Sequence, residues 1–310
     1  MENFGVTGNP FELNETSKPS ITIETAVVLS TLNILLSITA SLGNLLILVA
    51  LHKETSLHPP TKLLFRCLAI TDLCVGVILH PLFAVFLFSP ATTEMSLEVI
   101  FYIAALCTAS SFVLCQVSIF TSSAISVDRL LALLSGLRYR HVVTLPRVRA
   151  VIICFWLIAI SSGSIYFWSY SIAFYVGFSF TIFSLATSVF SYSTIYFKLR
   201  QHRPRVSPLT QGTPNGRQLP LNMTRYKNSV SSAISVQVAL LVCYVPLSVV
   251  VLLVFYGQIP GNGSEIAFYV TGTFVYLNSS LNPILYCWRI RGVRQAAKDT
   301  IKQLNCFKSA

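Results

Sequence analysis

Asp72 lies inside an uninterrupted apolar stretch, where a carboxylate is a costly side chain unless polar partners surround it. Such partners are available from distant parts of the chain: Asn44, Ser118, Asn278, Ser279 and Asn282 all sit within other apolar stretches. Gathered around Asp72 they would form a water- and cation-accommodating polar pocket, or a purely structural hydrogen-bonded knot. A second pair with chemical potential, Asp128-Arg129, closes a long apolar run. There the carboxylate can hold the guanidinium in one orientation, although a snorkelling interfacial pair reads the same way in isolation. The ionisable residues supply no Ser/His/Asp set, no close carboxylate pair and no phosphate-cradling glycine loop, so an enzyme is not expected.

The elements that must position these groups are membrane-length helices. Apolar residues form 54% of the 310 residues and charged residues 11%, with a mean hydropathy of +0.68, more than a water-soluble core of this size can hide. Apolar windows long enough to cross a bilayer occur seven times, near 24–51, 61–88, 97–130, 148–168, 172–200, 228–256 and 265–288. The expected fold is therefore an all-α membrane protein, a seven-transmembrane helix bundle, with residues 1–23 as an extracellular N-terminal tail and 24–288 as the membrane domain. In that topology 21 of the 22 Lys and Arg residues fall on the cytoplasmic side, leaving only Lys18 outside. The net charge of +11 thus marks topology, and no basic face interleaved with aromatics suggests nucleic acid.

Between the fifth and sixth windows, about residues 201–227, Pro204, Pro208, Pro214 and Pro220 occur with glycines and basic residues, which predicts a mobile cytoplasmic loop. Residues 289–304 place Ile290, Val293, Ala297, Ile301 and Leu304 on one face with Arg291, Arg294, Lys298 and Lys302 around it. This predicts a short amphipathic eighth helix on the inner leaflet, in contact with membrane lipids, followed by a cytoplasmic tail at 305–310. Cys306 is a palmitoylation candidate there, against the plain alternative of an unmodified thiol. The sequons at Asn14 and Asn262 fall outside and are glycosylation candidates, whereas those at Asn222 and Asn278 do not. No basic stretch leading into a short apolar run opens the chain, so the first span is expected to direct insertion itself.

Landmarks recur in order along the spans: Gly43-Asn44, Leu68-Ala69-Ile70-Thr71-Asp72, Asp128-Arg129-Leu130, Trp156, Cys243-Tyr244-Val245-Pro246 and Asn282-Pro283-Ile284-Leu285-Tyr286. With these the chain resembles the class A, rhodopsin-like G-protein-coupled receptors over residues 24 to about 304. The resemblance implies a plasma-membrane receptor, N-terminus outside, that binds a small extracellular ligand and activates a heterotrimeric G protein. It further implies an allosteric sodium ion on Asp72, Ser118, Asn278, Ser279 and Asn282, with no other cofactor. It makes Asp128, Arg129, Tyr192, Pro246, Pro283 and Tyr286 the activation switch, with Tyr196 as the alternative to Tyr192. The two prolines also stand as hinges on physical grounds, since each removes a backbone hydrogen bond.

Departures from the family pattern are informative. Ala104 stands where the family has a disulfide cysteine, and Gly163–Ser171 contains none to pair with it, so that bridge is not expected and the eight cysteines read as buried thiols. Ser184 replaces a usual proline, Tyr244 a usual tryptophan and Leu130 a usual tyrosine. Tyr226 and Lys227 stand where some members place an acid that locks Arg129, which suggests basal activity. These features resemble the branch holding melanocortin, cannabinoid and lysophospholipid receptors, with adenosine receptors nearby, while Leu82 and Thr108 argue against a melanocortin-type ligand. Ser111 and Tyr276 occupy the positions of the amine-receptor aspartate and the opsin lysine, which excludes both ligand types. The pocket walls are then expected to be Ser111, Cys115, Tyr244, Leu247, Ser248, Val251 and Tyr276, suiting a neutral or lipid-like ligand. His80, the one ionisable side chain in that half, reads as a packed, hydrogen-bonded residue. The competing readings are a secondary transporter, which would show internal repeats that the sequence lacks, and a receptor-like scaffold that does not signal.

Overall fold

The computed structural model describes residues 21–55, 57–89, 95–201, 219–256, 261–289 and 294–295. Among them the chain forms seven long helices, Ile23–Lys53, Pro59–Phe88, Leu97–Ser135, Leu145–Ile165, Tyr170–Gln201, Leu219–Phe255 and Gly261–Arg289, and no strand. They are called the first to seventh helix below.

Local chemistry sets the helix ends. Thr22 and Ser96 cap the first and third helices by accepting hydrogen bonds from the backbone N–H groups of Thr25 and Val99 at 3.3 and 3.4 Å. Pro59 and Pro60 open the second helix, where a missing N–H costs nothing. The third helix stops at Gly136, whose φ of 47° an L side chain rarely adopts, and a 3₁₀ turn at Gly136–Arg138 leads into the short helix Tyr139–Val142.

Within the second helix the segment Val75–Leu79 widens into a π-helical turn immediately before His80-Pro81. Pro81 has no N–H for the carbonyl four residues back, and the looser turn absorbs that mismatch. The widened turn presents the Gly76 carbonyl to Ser37 of the first helix, whose hydroxyl donates to it at 2.7 Å. No side chain fits between these helices at that level, because a Cβ on Gly76 would lie 2.8 Å from the backbone nitrogen of Ser41.

The first helix packs on the second and seventh, the third on the second, fourth and fifth, and the sixth on the seventh. The main apolar core joins Leu79, Phe83, Leu114, Phe120, Leu240 and Tyr276, and a second cluster around Ile47, Leu64, Leu68 and Ile125 lies toward the Asp128 end. The outer surface is apolar as well: Leu35, Leu45, Ile153, Phe183 and Phe190 are all exposed, while Asn33, Asn44, Asp72, Asn278 and Asn282 are buried. A protein polar inside and apolar outside is solvated by hydrocarbon. Six of the helices are individually long and apolar enough to cross a membrane. The seventh is diluted by Asn278, Ser279, Ser280 and Asn282, all turned inward.

Several boundaries differ from the sequence expectation. The sixth helix begins at Leu219 and takes up nine residues assigned to the 201–227 loop. Pro220 occupies its first turn, where proline is tolerated, and no glycine or proline interrupts 221–245. The third helix continues to Ser135, five residues past the expected edge. Cys154 is exposed on the fourth helix and is not a buried thiol, since a lipid-facing surface does not require a small apolar side chain to hide. The expected N-terminal tail to residue 20, Asn14, Cys306 and nearly all of the expected eighth helix and tail lie outside the described residues, as do the side chains of Asn262 and Tyr286.

Candidate functional site

The polar and switch residues fall at three levels along the bundle. At the end remote from Arg129, the second, third, fifth, sixth and seventh helices enclose a cavity of about 200 Å³. The structure brings together on its wall all seven residues assigned to a pocket from sequence: Ser111, Cys115, Tyr244, Leu247, Ser248, Val251 and Tyr276. The Ser111 and Tyr276 hydroxyls are hydrogen-bonded at 2.7 Å, tying the third helix to the seventh. The Tyr244 hydroxyl donates to the Cys115 carbonyl at 3.4 Å, tying the sixth helix to the third.

The sequence reading missed much of the rest of the wall. Phe83 and Phe86 come from the second helix, Phe112 and Gln116 from the third, and Phe174, Phe178 and Thr181 from the fifth. The spacing of the last three, at i, i+4 and i+7, is the signal of one helical face, but in an apolar helix every face carries such residues. Phe83 stands edge-on to Tyr276 at 5.1 Å and Phe86 edge-on to Tyr269 at 5.8 Å, fixing the aromatic part of the wall. Among the described residues, no Asp, Glu, Lys or Arg lines the cavity.

His80 is fully buried behind this wall rather than on it. Its Nδ1 lies 2.9 Å from Asn33 Oδ1, and the Asn33 amide donates to the Leu29 carbonyl and to Thr273 Oγ1 at 2.9 and 3.1 Å. The imidazole also meets the Tyr276 ring edge-on at 5.7 Å. It therefore supports the cavity by holding Tyr276 between the second and seventh helices.

At mid-bundle Asp72 has no exposed surface. Its Oδ1 accepts from Ser118 Oγ at 3.0 Å and Ser279 Oγ at 2.8 Å, and its Oδ2 from Asn282 Nδ2 at 2.7 Å. Three donors from two other helices compensate the buried carboxylate, as its position required. Asn44 Nδ2 donates to the carbonyls of Ala40 and Ser279, both at 2.9 Å, while Asn44 Oδ1 has no hydrogen-bond partner among the described residues. Asn278 is buried in the same layer, but its Nδ2 is unpaired among the described residues and it does not join Asp72. The seventh helix can approach here because Gly43 lacks a side chain: a Cβ would stand 2.9 Å from the Pro283 ring.

At the third level Asp128 is 3% exposed and is held mainly by neutral donors. Tyr139 donates to Oδ1 at 2.6 Å and Thr61 to Oδ2 at 3.0 Å, with Thr61 and Tyr139 also 3.0 Å apart. Arg129 approaches the same Oδ2 only through Nε at 4.0 Å, and its guanidinium sits over the Phe65 ring at 5.7 Å. Tyr139 was not anticipated from sequence, because its contact depends on the turn at Gly136 folding the chain back. Tyr192 is buried in the bundle, whereas Tyr196 is half exposed on the outer face. Pro246 and Pro283 lie within continuous sixth and seventh helices.

Comparison with known proteins accounts for this three-level arrangement. The family model for the 7 transmembrane receptor (rhodopsin family) matches residues 43–170 and 161–286. The chain is 25% identical over 297 residues to the adenosine receptor A3 of Ovis aries, a match covering 87% of this chain and 88% of that receptor. It is 35% identical over 121 residues to the human adenosine receptor A2b, covering 39% of this chain and 34% of that one. A membrane-spanning helix bundle with an aromatic cavity at one end and Asp128-Arg129 at the other, matched along most of its length, belongs to the rhodopsin-like family of seven-transmembrane receptors and is a multi-pass membrane signalling receptor, not an enzyme.

Proposed function

We propose that this receptor sits in the plasma membrane with its N-terminus outside, and that an uncharged, largely apolar ligand in the aromatic cavity drives activation of a heterotrimeric G protein at the Arg129 end. The observation that carries this reading is the cavity wall itself. It is built from aromatic and aliphatic side chains with several hydroxyls, two thiols and one amide, and among the described residues it has no group to neutralise a charged ligand. Because relatives of this chain bear the name adenosine receptor, adenosine belongs among the ligands tested. A nucleoside carries many polar groups, and the sparse polar lining favours a less polar molecule.

Ligand motion reaches the far end through the sixth and seventh helices, which carry Tyr244 and Tyr276 on the cavity wall and Pro246 and Pro283 nearby as hinges. Arg129, with its single long contact to Asp128, is then free to meet the G protein, and this loose hold supports basal activity. Tyr192 and Tyr286 are assigned to hold the active arrangement. Asp72, Ser118, Ser279 and the unpaired Asn44 oxygen offer an oxygen-rich set suited to a sodium ion, which would neutralise the buried carboxylate and resist rearrangement of the seventh helix.

The test is G-protein activation in cells across a panel of α subunits, basal and with adenosine and uncharged lipids, comparing wild type with Arg129→Ala at matched surface expression. Signal present in wild type and lost in the variant is expected. Full retention of the signal in Arg129→Ala overturns the assignment of the coupling site, and absence of any signal from surface-expressed protein favours the non-signalling scaffold.

A further inference from the structure

A second cavity, of about 460 Å³, lies between the third, fourth and fifth helices toward the Arg129 end. Its wall runs between residues 120 and 131 on the third helix, 147 and 158 on the fourth, and 180 and 187 on the fifth. Val151, Ile158 and Phe183 of this wall are exposed on the outer surface, so the cavity opens sideways into hydrocarbon. Phe120 closes its inner end, meeting Phe155 and Phe180 at 5.2 and 5.6 Å between ring centroids. Ser123 and Ser184 are nearly buried and Thr187 donates its hydroxyl to the Phe183 carbonyl, so a guest meets an almost wholly apolar surface.

The opposite end of this cavity is basic. Exposed Arg147 borders it, and its Nη1 donates to the carbonyls of His141 and Val142 at 3.2 and 2.8 Å, which holds the guanidinium beside Val142 at the rim. Its Nε and Nη2 groups make no hydrogen bond among the described residues. Arg147 lies in the first turn of the fourth helix, where Thr144 supplies no side-chain cap, so the helix dipole adds positive potential at the same place. Residues 129–151 contain no Asp or Glu. Asp128 also borders this end, with its oxygens accepting from Tyr139 and Thr61, and its charge steers an anion away from the third helix toward Arg147. From residue 147 to residue 158 the wall rises about 16 Å at 1.5 Å per residue, which matches the roughly 15 Å of hydrocarbon in one leaflet.

We propose that this cavity binds an anionic phospholipid of the cytoplasmic leaflet, with one acyl chain laid along Phe120 and Phe155 and the phosphate on Arg147. The open side lets the second chain stay in the bilayer, so the lipid enters laterally without leaving the membrane. A zwitterionic headgroup brings its own cation to Arg147 and is held less well. The assignment to the cytoplasmic leaflet rests on the reading that the Arg129 end faces the cytoplasm. The site itself is independent of the aromatic cavity and of its ligand.

The full chain, purified in detergent, is titrated with dioleoyl phosphatidylglycerol or dioleoyl phosphatidylcholine, which share both chains, and bound lipid is counted by native mass spectrometry. The preference for phosphatidylglycerol is expected to be about 5-fold greater in wild type than in Arg147→Gln, the size of one cation acting on an anionic headgroup, and to return in Arg147→Lys. Arg200→Gln removes an exposed cation about 20 Å farther along the fifth helix from Thr187 and should keep the wild-type preference. Ala124→Phe fills the cavity and should lower the binding of both lipids. If its thermal midpoint shows that it is unfolded, Val151→Trp decides, because that side chain starts on the lipid-facing surface. Equal loss of preference in Arg200→Gln and Arg147→Gln means diffuse surface attraction and overturns the site. Undiminished binding in the folded cavity-filling variant overturns it as well, since the chain then lies elsewhere, and so does wild type that binds neither lipid. Binding in detergent does not depend on membrane orientation, so a reversed topology would change the leaflet and leave this result standing.

Discussion

Replacing Tyr139 by Phe should lower basal signalling, and the reason lies in who holds Asp128. Its Oδ1 is occupied by the Tyr139 hydroxyl at 2.6 Å and its Oδ2 by Thr61 at 3.0 Å, leaving Arg129 at 4.0 Å from an oxygen already engaged. A hydrogen bond from a hydroxyl to an ionised carboxylate contributes about 1.5–3 kcal/mol. Removing it frees an oxygen in a site that is 3% exposed, and the cation that can take it is Arg129, itself 33% exposed and now resting over the Phe65 ring. Part of the lost energy returns as a tighter Asp128–Arg129 pair, so roughly 0.5–1.5 kcal/mol should shift toward the held state, a 2- to 10-fold fall in the active fraction. The assay is basal nucleotide exchange on purified G protein by receptor reconstituted in lipid nanodiscs, with Asp128→Asn as the opposing control. That control removes the charge which would hold Arg129, and basal exchange should rise. An increase in Tyr139→Phe would show that the Tyr139–Asp128 bond is itself the restraint and refute the competition argued here.

Three further outcomes follow from close contacts elsewhere. Gly76→Ala places a Cβ 2.8 Å from a backbone nitrogen of the first helix and should cost about 1–3 kcal/mol, read as a lower midpoint of thermal unfolding in detergent; an unchanged midpoint would mean the two helices separate freely. If Asp72 holds sodium, replacing potassium chloride by sodium chloride at constant ionic strength should stabilise wild type and leave Asp72→Asn unaffected; equal responses would remove the ion from the account. Ser111→Ala leaves the Tyr276 hydroxyl, in a residue 6% exposed, without the partner now 2.7 Å away, and should destabilise the protein by about 1–2 kcal/mol; Tyr276→Phe in the same background should restore part of that loss, since both polar partners are then gone.

The sequence by itself determined the membrane bundle, because burying a chain 54% apolar and 11% charged leaves few alternatives, and because Asp72 and Asn282 can lie in apolar helices only if they face inward. It also named the residues of the cavity that could be counted from a landmark, such as Ser111 from Arg129 and Tyr276 from Pro283. Where no landmark existed, on the second and fifth helices, Phe83, Phe86, Phe174 and Thr181 could not be told from lipid-facing neighbours, since hydrophobic periodicity vanishes when both faces of a helix are apolar. The start of the sixth helix at Leu219 was hidden by Pro220, which breaks a helix in its interior and opens one in its first turn. Only the tertiary structure decided that Asn278 stays apart from Asp72, that Tyr139 folds back to take Asp128 from Arg129, and that Gln116 Nε2 is buried without a partner among the described residues. Each of these depends on the rotation and depth of one helix against another, and a shift of a single residue turns a helical side chain by about 100°, far enough to exchange a partner for an empty wall.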